Sequence, residues 1–459
     1  MDGLIYRSAK ALAEAIRTKE VSSYEVVTAC ISLIEAVNPK INAVVQNRFE
    51  EAVDEARQAD DALRQGESWG SLHGVPMTIK DSLDTAGVVT TVGTKGRQSF
   101  IPTRDATAVA RPRAAGAILV GKTNTSELTA AGITDNHIYG QTNNPYDLNR
   151  TPGGSSGGAA AIVATGAIPF DIGSDSSGSV RLPAHYCGVA GLKPTMGRVS
   201  RTGHIPSFDI GLLDPITQIG PLARHVEDLP LLLRIISGVD WIDPTIVPVP
   251  LGNPEDVNLS QLRVAYYSDN GIETPTSDTE QVIKEAIEVL SAGGMKLVED
   301  RPPIVQNPDL LSGKLVLADG GDAIRKILQT VGTAIDETHP SISWTQSGEV
   351  VPTLELTALI AQWNIFRSQM LTFMKEYDAI VCPASSTPAP PHEAADTDFS
   401  YTSPYNLTGW PAVVVRGGTS SEGLPIGVQI IARPWHEDVA CAIAQQIENE
   451  LGGWQLPSI

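Results

Sequence analysis

A glycine- and serine-rich stretch, residues 152–195, constrains this chain more than any other part of its sequence. Ser155 and Ser179 each lie in a Gly/Ser turn of this stretch, and an Ala/Ile/Val-rich segment, residues 158–164, separates them. The segment is too apolar for a surface helix, so we predict a buried helix between two polar loops. Glycine lets backbone N–H groups approach a ligand, and the first N–H groups of a helix lack partners. The pattern therefore predicts a functional site.

Composition excludes several classes of protein. The chain has 459 residues and a net charge of −20, with an isoelectric point of about 4.8. A negative charge of this size disfavours binding to nucleic acid or to an anionic membrane. The sequence lacks an apolar run of about 18 residues and an apolar N-terminal segment, so we expect a cytoplasmic protein with no membrane partner. The four cysteines are scattered and lack metal-binding spacing, which predicts neither a disulfide framework nor a metal site.

From residue 73 onward, short apolar runs alternate with helical patterns. This alternation predicts an α/β fold with a central mixed, largely parallel β-sheet covered by helices. Neither a repeat nor a linker interrupts it, so we predict one domain over residues 1–459. The predicted helices are at 8–18, 23–37 (ending at Asn38-Pro39), 49–65, 106–115 (with Pro112 inside), 278–292, 354–376 and 437–451. The predicted strands include 262–267, 379–382, 412–416 and 426–432. Residues 300–350, rich in Pro and Gly, are predicted to be irregular.

Two short motifs match known patterns without the expected context. Residues 116–123 fit the phosphate-loop pattern GxxxxGK[ST], but the four middle residues favour a strand instead of a flexible turn. Residues 153–157 fit GxSxG, the nucleophile turn of α/β-hydrolases, but a polar loop precedes them where a buried strand is needed. We favour neither interpretation.

Lys80 is the best candidate for a general base. It follows an apolar strand, residues 75–79, and would point into whatever that strand buries. Burial lowers the pKa of a lysine, and a neutral lysine can accept a proton. The alternative, which composition alone favours, is a lysine paired with Asp81 or Asp84 at the end of the strand.

The motif GGSSGG, followed by GSDSSGSVRLPAHYCGVAGLKPT, resembles the amidase signature family. Further matches are GVPMTIKD, GAILVGKTNTSEL, GQTNNPYDLNRTPGGSSGG, SPYNLTGWPAVVV and GLPIGVQIIARP. The resemblance covers roughly residues 8–450. It implies one amidase domain with a helical lead-in (1–66), a catalytic core (72–200) and a variable region (240–375).

The resemblance also implies a Ser–cis-Ser–Lys triad. By position in the motif, Ser179 matches the nucleophile, Ser155 the bridging serine and Lys80 the base. A cis peptide is implied between Gly154 and Ser155. In this relay, Lys80 accepts a proton from Ser155, which accepts one from Ser179, and Ser179 attacks an amide to form an acyl-enzyme.

The turn before the nucleophile is the implied oxyanion hole, formed by the backbone N–H groups of Ser176, Ser177, Gly178 and Ser179. The family commonly has two glycines there, whereas this chain has Ser177-Gly178. A serine is strained if position 177 requires a positive φ, and we expect a narrowed pocket. Asp175 and Arg181 match positions that support the turn.

The implied function is that of a stand-alone amide hydrolase, which cleaves a small carboxylic amide to an acid plus an amine or ammonia without a cofactor. Thr129 and Ala130, in the loop after GKTN, are the expected substrate contacts, and the aromatic candidates for the pocket or the core are Trp344, Trp363, Tyr401 and Tyr405. A homodimer is the oligomer we consider. The alternatives are a glutaminase-type subunit of a tRNA-dependent amidotransferase, which needs a partner protein, and a non-catalytic scaffold.

Overall fold

The computed structural model describes residues 3–205, 216–303, 308–394 and 398–459. Within them, eleven strands form one sheet, in the order β1-β3-β2-β4-β6-β5-β10-β11-β9-β7-β8. The strands are β1 (Val44–Asn47), β2 (Pro76–Lys80), β3 (Ile118–Thr123), β4 (Phe170–Asp175), β5 (Ala190–Lys193), β6 (Gln218–Ala223), β7 (Arg263–Tyr266), β8 (Lys296–Glu299), β9 (Ala379–Pro383), β10 (Ala412–Thr419) and β11 (Pro425–Ala432).

Helices cover this sheet. They are α1 (Ala9–Arg17), α2 (Ser23–Ile41), α3 (Phe49–Arg64), α4 (Thr107–Ala114), α5 (Gly157–Ala164), α6 (Arg181–Cys187), α7 (Asp228–Ile236), α8 (Ser277–Ala292), α9 (Pro308–Val316), α10 (Asp322–Val331), α11 (Thr353–Met374), α12 (Ser403–Thr408) and α13 (Glu437–Leu451).

The predicted α/β fold with a mixed sheet is confirmed, but the sheet is not largely parallel. Parallel pairing joins β3 to β2 and β2 to β4, and β9 to β7 and β7 to β8. The central pairings from β4 through β6, β5, β10 and β11 to β9 are antiparallel, as is β1 with β3. A short turn joins β10 to β11, and such a connection allows only antiparallel pairing, whereas parallel strands need a longer crossover.

The parallel strands β2 and β4 position the site. Since they run side by side, their carboxyl ends meet at one edge of the sheet. Lys80 ends β2, and Asp175 ends β4 just before the turn that carries Ser179. Helix α5 begins immediately after Ser155-Ser156. The fold thus brings the Lys80 strand and both serine turns to one place.

Helix α5 is buried throughout, as predicted from its composition. It has no polar face, so it fits only inside the protein. Gly158 lets it approach closely, because a Cβ atom at this position would lie 2.5 Å from the Asn124 backbone nitrogen. A larger residue there would push α5 away from the segment that follows β3.

Several boundaries differ from the predictions. Helix α2 continues past Pro39 to Ile41, since Val37 and Ile41 stay on its buried face and their packing outweighs one missing hydrogen bond. Residues 300–350 were predicted to be irregular but include helices α9 and α10. Their glycine and proline residues interrupt the helical pattern in the sequence. Strands β4 and β5, within the glycine-rich stretch, were not predicted, because their polar and small residues mask the strand pattern.

All four cysteines are free and buried. Across the ranges described above, no helix is long and apolar enough to cross a membrane.

Candidate active site

The Lys80 amine lies at the centre of a cluster of serine hydroxyls. Its Nζ atom is 2.6 Å from Ser155 Oγ, 2.9 Å from Ser156 Oγ and 2.9 Å from Ser174 Oγ. Strand β2 supplies the lysine, the turn before α5 supplies Ser155 and Ser156, and β4 supplies Ser174. Lys80, Ser155 and Ser156 are completely buried. The peptide bond between Gly154 and Ser155 is cis, as the resemblance implied.

The hydrogen bonds around Ser156 indicate which partner can share a proton with the lysine. Ser156 Oγ donates its proton to the Ser174 carbonyl oxygen at 3.1 Å, so it must accept from Lys80. A neutral amine has two N–H donors and one lone pair. If Ser156 and Ser174 accept the two N–H bonds, the lone pair faces Ser155. The arrangement therefore suits a neutral lysine that accepts a proton from Ser155.

Burial favours this neutral form. It lowers the pKa of Lys80 from its usual 10.5 to about 7, although the negative charges of Asp175 and Asp171 act in the opposite direction. Removing an ammonium group from water costs far more than removing an amine, and hydroxyl partners do not offset that cost fully. Near neutral pH a substantial fraction of Lys80 is thus available as a base.

The alternative interpretation of Lys80, a pair with Asp81 or Asp84, is wrong. Asp81 lies 3.9 Å from Lys122 Nζ and accepts hydrogen bonds from Thr91. Asp84 pairs with Arg97 at 2.6 Å. Both acids therefore have other partners.

Ser179 is 6% exposed, whereas Ser155 is fully buried. The backbone N–H of Ser156 donates to the carbonyl oxygen of Ser179 at 3.2 Å, which holds the two serine turns together. A small exposed fraction at Ser179 and none at Ser155 is the order expected if substrate reaches Ser179 first.

The turn before Ser179 requires glycine at position 178, and Ser177 is not strained. Gly178 has a φ of 149°, while Ser177 is not among the residues with positive φ. A Cβ atom at Gly178 would lie 2.4 Å from Thr402 Oγ1, which donates to the Ser177 carbonyl oxygen. In the described part of the chain, the N–H groups of residues 177–179 have no protein acceptor. These donors can therefore bind an oxygen of a ligand.

Asp175 and Arg181 form a completely buried ion pair beneath the turn. Arg181 Nε and Nη2 each lie 3.0 Å from a carboxylate oxygen of Asp175, which also accepts from the Val180 N–H at 3.1 Å. Burial disfavours the charged acid, but the Arg181 guanidinium holds the pKa of Asp175 at about 2. Arg181 also donates to Thr402 O, Gln429 Oε1 and Asn406 Oδ1. The pair thus ties the turn to β11 and α12.

Comparison with known proteins assigns the chain to a family. The family model described as Amidase matches residues 25–441. The chain belongs to the amidase signature family. It is an amide-hydrolysing enzyme, so the hypothesis of a non-catalytic scaffold is wrong.

Similar amidases include both components of larger enzymes and separate hydrolases. A glutamyl-tRNA(Gln) amidotransferase subunit from Moorella thermoacetica is 34% identical over 481 aligned residues, which cover 97% of each chain. The solved structure of 6-aminohexanoate cyclic dimer hydrolase with its substrate has a TM-score of 0.87 at 29% identity, covering 97% of both chains. The corresponding amidotransferase subunit from Thermotoga maritima has a TM-score of 0.78 at 27% identity, covering 95% of this chain and 94% of that one.

The loop predicted to contact the substrate of this amidase has an unusual backbone. Leu128 and Thr129 have positive φ values of 49° and 58°, which are rare for residues other than glycine. The Ala130 carbonyl oxygen accepts a hydrogen bond from Trp344 Nε1 at 2.9 Å. Strained backbone conformations concentrate at functional sites, and substrate contact by Thr129 and Ala130 stays a prediction.

The segment after this loop contacts the first serine turn directly. Thr134 Oγ1 donates to the Gly153 carbonyl oxygen at 2.9 Å and accepts from the Gly157 N–H at 3.0 Å. The loop is therefore held next to Ser155. Of the other aromatic candidates, Trp363, Tyr401 and Tyr405 are buried in one hydrophobic cluster and belong to the core.

Neither of the two short motifs has the structure of the site that its pattern is typical of. Most of residues 116–123 form β3, and Lys122 there is buried against the Leu83 carbonyl oxygen and Thr85, so the segment is no phosphate loop. The residues before Ser155 form a loop and not the strand of an α/β-hydrolase. Among the described residues, His, Cys, Asp and Glu form no group of three or more that could hold a metal ion.

Sequence reasoning missed one acid near the site and understated two serines. Ser156 and Ser174, which both contact Lys80, were not among the predicted site residues. Asp171 was not among them either. Its signal in the sequence is a charged residue between Phe170 and Ile172, in a segment that is otherwise apolar or small.

Proposed function

We propose that this amidase cleaves a small carboxylic amide to an acid plus an amine or ammonia, through an acyl-enzyme on Ser179. One observation carries the proposal: a buried lysine, with its pKa lowered to about 7, lies 2.6 Å from the hydroxyl of Ser155. A neutral amine at this distance from a hydroxyl is the arrangement that activates a serine relay.

The reaction proceeds in two halves. Ser155 gives its proton to Lys80 and takes the proton of Ser179, whose Oγ forms a bond to the amide carbonyl carbon. The carbon–nitrogen bond then breaks as the relay returns a proton to the leaving nitrogen. Water next adds to the acyl carbon, giving one proton to the relay, and the acid leaves as the Ser179 hydroxyl forms again.

The carbonyl oxygen becomes negative in each half, and backbone N–H groups stabilise it. The proposed donors belong to Ser176, Ser177, Gly178 and Ser179. The N–H groups of residues 177–179 lack an acceptor in the described part of the chain, which supports this role. Removing one donor of such a set typically costs about 10²–10³ in turnover.

Three neighbours of the turn, among the described residues, bear on the charge of the acyl group. Ser176 Oγ lies 2.8 Å from Thr217 Oγ1. Thr402 and Phe399 lie against Gly178. These three neighbours are uncharged, and Thr129 and Ala130 are the proposed contacts on the other side. We therefore propose a neutral small-molecule amide as the substrate.

Labelling of the nucleophile tests this function. A fluorophosphonate is expected to add once to the wild-type protein, and the adduct is expected to be absent from Ser179→Ala, because only an activated serine attacks phosphorus at a useful rate. Intact mass measures both. Ser32→Ala, on the exposed side of α2, is the matched control and is expected to keep the adduct. An adduct that persists in Ser179→Ala would refute the proposal.

A second candidate function has its own support. A 34% identical relative over 97% of the chain is named as a subunit of glutamyl-tRNA(Gln) amidotransferase. If this chain has the same role, it releases ammonia from glutamine and needs a partner protein.

Glutamine hydrolysis distinguishes the two candidates. Glutamine carries two charged groups next to its α-carbon, which the uncharged neighbours of the turn do not match. We expect the isolated protein to hydrolyse neutral amides at least about tenfold faster than glutamine, with ammonia release as the measurement. Glutamine hydrolysis that appears only after addition of another amidotransferase component would favour the second candidate. We also propose that the enzyme works without another protein, either as a single chain or as a homodimer.

A further inference from the structure

Asp171 is a buried acid next to the site, and one of its oxygens lacks a partner. It lies on β4 directly opposite Thr78 of β2 and is fully buried. Its Oδ2 atom accepts hydrogen bonds from Thr78 Oγ1 at 2.6 Å and Thr123 Oγ1 at 3.0 Å. Its Oδ1 atom has no hydrogen-bond partner in the described part of the chain. A buried carboxylate with an unpaired oxygen is costly and indicates a role.

The neighbouring strands connect this acid to Lys80. Thr78 is two residues before Lys80, so both side chains lie on the same face of β2. Thr123, the second donor to Asp171, is paired in register with Lys80 itself. Both donors thus lie on the two strands that position the lysine.

We propose that Asp171 is a positioning residue, whose charge sets the pH at which Lys80 loses its proton and becomes the base of the relay. This inference rests on the proposed function. An ionised Asp171 favours the protonated lysine, and a neutral Asp171 favours the free amine. The proton is therefore shared by a coupled pair, and the pH dependence of the reaction belongs to both groups.

The charged groups that act on Asp171 and Lys80 lie on strands β2, β3 and β4. The helix α5 and the strand β6, which pack against β4, contain no charged residue. Lys122 on β3 and Lys80 on β2 are the cations that act on Asp171. On β4 itself, the charge of Asp175 is compensated by Arg181 at 3.0 Å. Asp171 has no such ion pair, and its negative charge acts on Lys80 together with that of Asp175.

The shifts in both groups agree with this coupling. Burial raises the pKa of Asp171 from its usual 3.8 to about 7, while the two threonine hydroxyls and the charges of Lys122 and Lys80 oppose the change. Burial lowers the pKa of Lys80 to about 7. Burial thus favours the neutral form of both groups, and each charged form favours the charged form of the other.

The pH dependence of fluorophosphonate labelling tests the inference without knowledge of the natural substrate. In the wild type, the labelling rate is expected to rise as pH increases through about 7, because the protonated lysine cannot act as a base. In Asp171→Asn the lysine loses a nearby negative charge, which lowers its pKa. The rise is therefore expected about one pH unit lower.

A matched control separates this effect from the loss of any buried acid. Asp228 is also fully buried, and burial raises its pKa to about 6, but it accepts the Ala9 and Lys10 N–H groups at the start of α1. Asp228→Asn is expected to leave the rise at the wild-type pH. If Asp171→Asn does not fold, Thr123→Val takes its place. Thr123→Val removes a hydrogen bond that favours the charged form of Asp171. The rise in labelling rate is therefore expected to move to lower pH by less than in Asp171→Asn.

The outcomes distinguish the inference from the proposed function. No labelling of the wild type at any pH would contradict the proposed function. Normal labelling of the wild type, with the same pH dependence in Asp171→Asn, or in Thr123→Val where the first variant does not fold, would overturn only the role of Asp171. A shift toward higher pH would also overturn it.

Discussion

Lys80→Met is expected to lower turnover of an amide substrate by about 10³–10⁴-fold while the protein stays folded. Without the amine, Ser155 has no group to accept its proton, and Ser179 keeps an ordinary, unreactive hydroxyl. Methionine is an unbranched apolar side chain that suits the fully buried position of Lys80. The measurement is kcat on the best amide of a panel, together with circular dichroism to check the fold.

Lys80→Arg separates the need for a base from the need for a positive charge. Arginine keeps the charge but does not lose its proton in proteins. The same loss of turnover is therefore expected at every pH. Substantial activity in Lys80→Arg would show that the lysine acts only through its charge.

Lys122→Met is the control for removal of a buried lysine. Lys122 is fully buried on the next strand, and burial lowers its pKa to about 8, but its contacts are Leu83, Thr85, Thr90 and Asp81. We expect this variant to be less stable yet to turn over within about tenfold of the wild type, because it lies outside the relay. A loss in Lys122→Met equal to that in Lys80→Met would contradict a special role for Lys80.

Arg181→Met is expected to reduce the free energy of unfolding by about 3–5 kcal/mol, because it leaves Asp175 buried without its cation. Arg181 also loses its bonds to Thr402 O and Gln429 Oε1, at 2.9 and 2.8 Å. The measurement is the midpoint and slope of urea unfolding. Arg17→Met is the matched control, since Arg17 pairs with Glu14 on the surface, and we expect a change of about 0.5 kcal/mol or less.

The sign of the pH dependence provides a second readout for Arg181. The pKa of Asp175 is lowered from 3.8 to about 2, so the ion pair contributes fully above pH 3.8 and its contribution is lost as pH falls toward about 2. In Arg181→Met this source of stability is absent, and the difference in stability from the wild type is expected to shrink as pH falls, because protonation of Asp175 removes the buried unpaired charge. An Arg181→Met variant within about 1 kcal/mol of the wild type would contradict the role of the pair in holding the turn.

The amino-acid sequence was enough to predict the family, the class of fold and the three residues proposed for the relay. The motif that contains Ser155 and Ser179 is long and resembles that of one family. Helix α5 was also predictable, because a helix without a polar face can only be buried. Lys80 was the best candidate for a base, but the sequence did not exclude a pair with Asp81.

The groups that surround each of these residues could not be predicted from the sequence, because they come together only in the folded chain. Asp81 and Asp84 are close to Lys80 in sequence but pair with Lys122 and Arg97, while Asp171 reaches the site from another strand. The direction of strand pairing and the requirement for glycine at position 178 were likewise settled by packing, since Thr402 lies against that turn. Local patterns report the conformation and burial of a segment, whereas the partners of a buried charge depend on contacts between residues far apart in the chain.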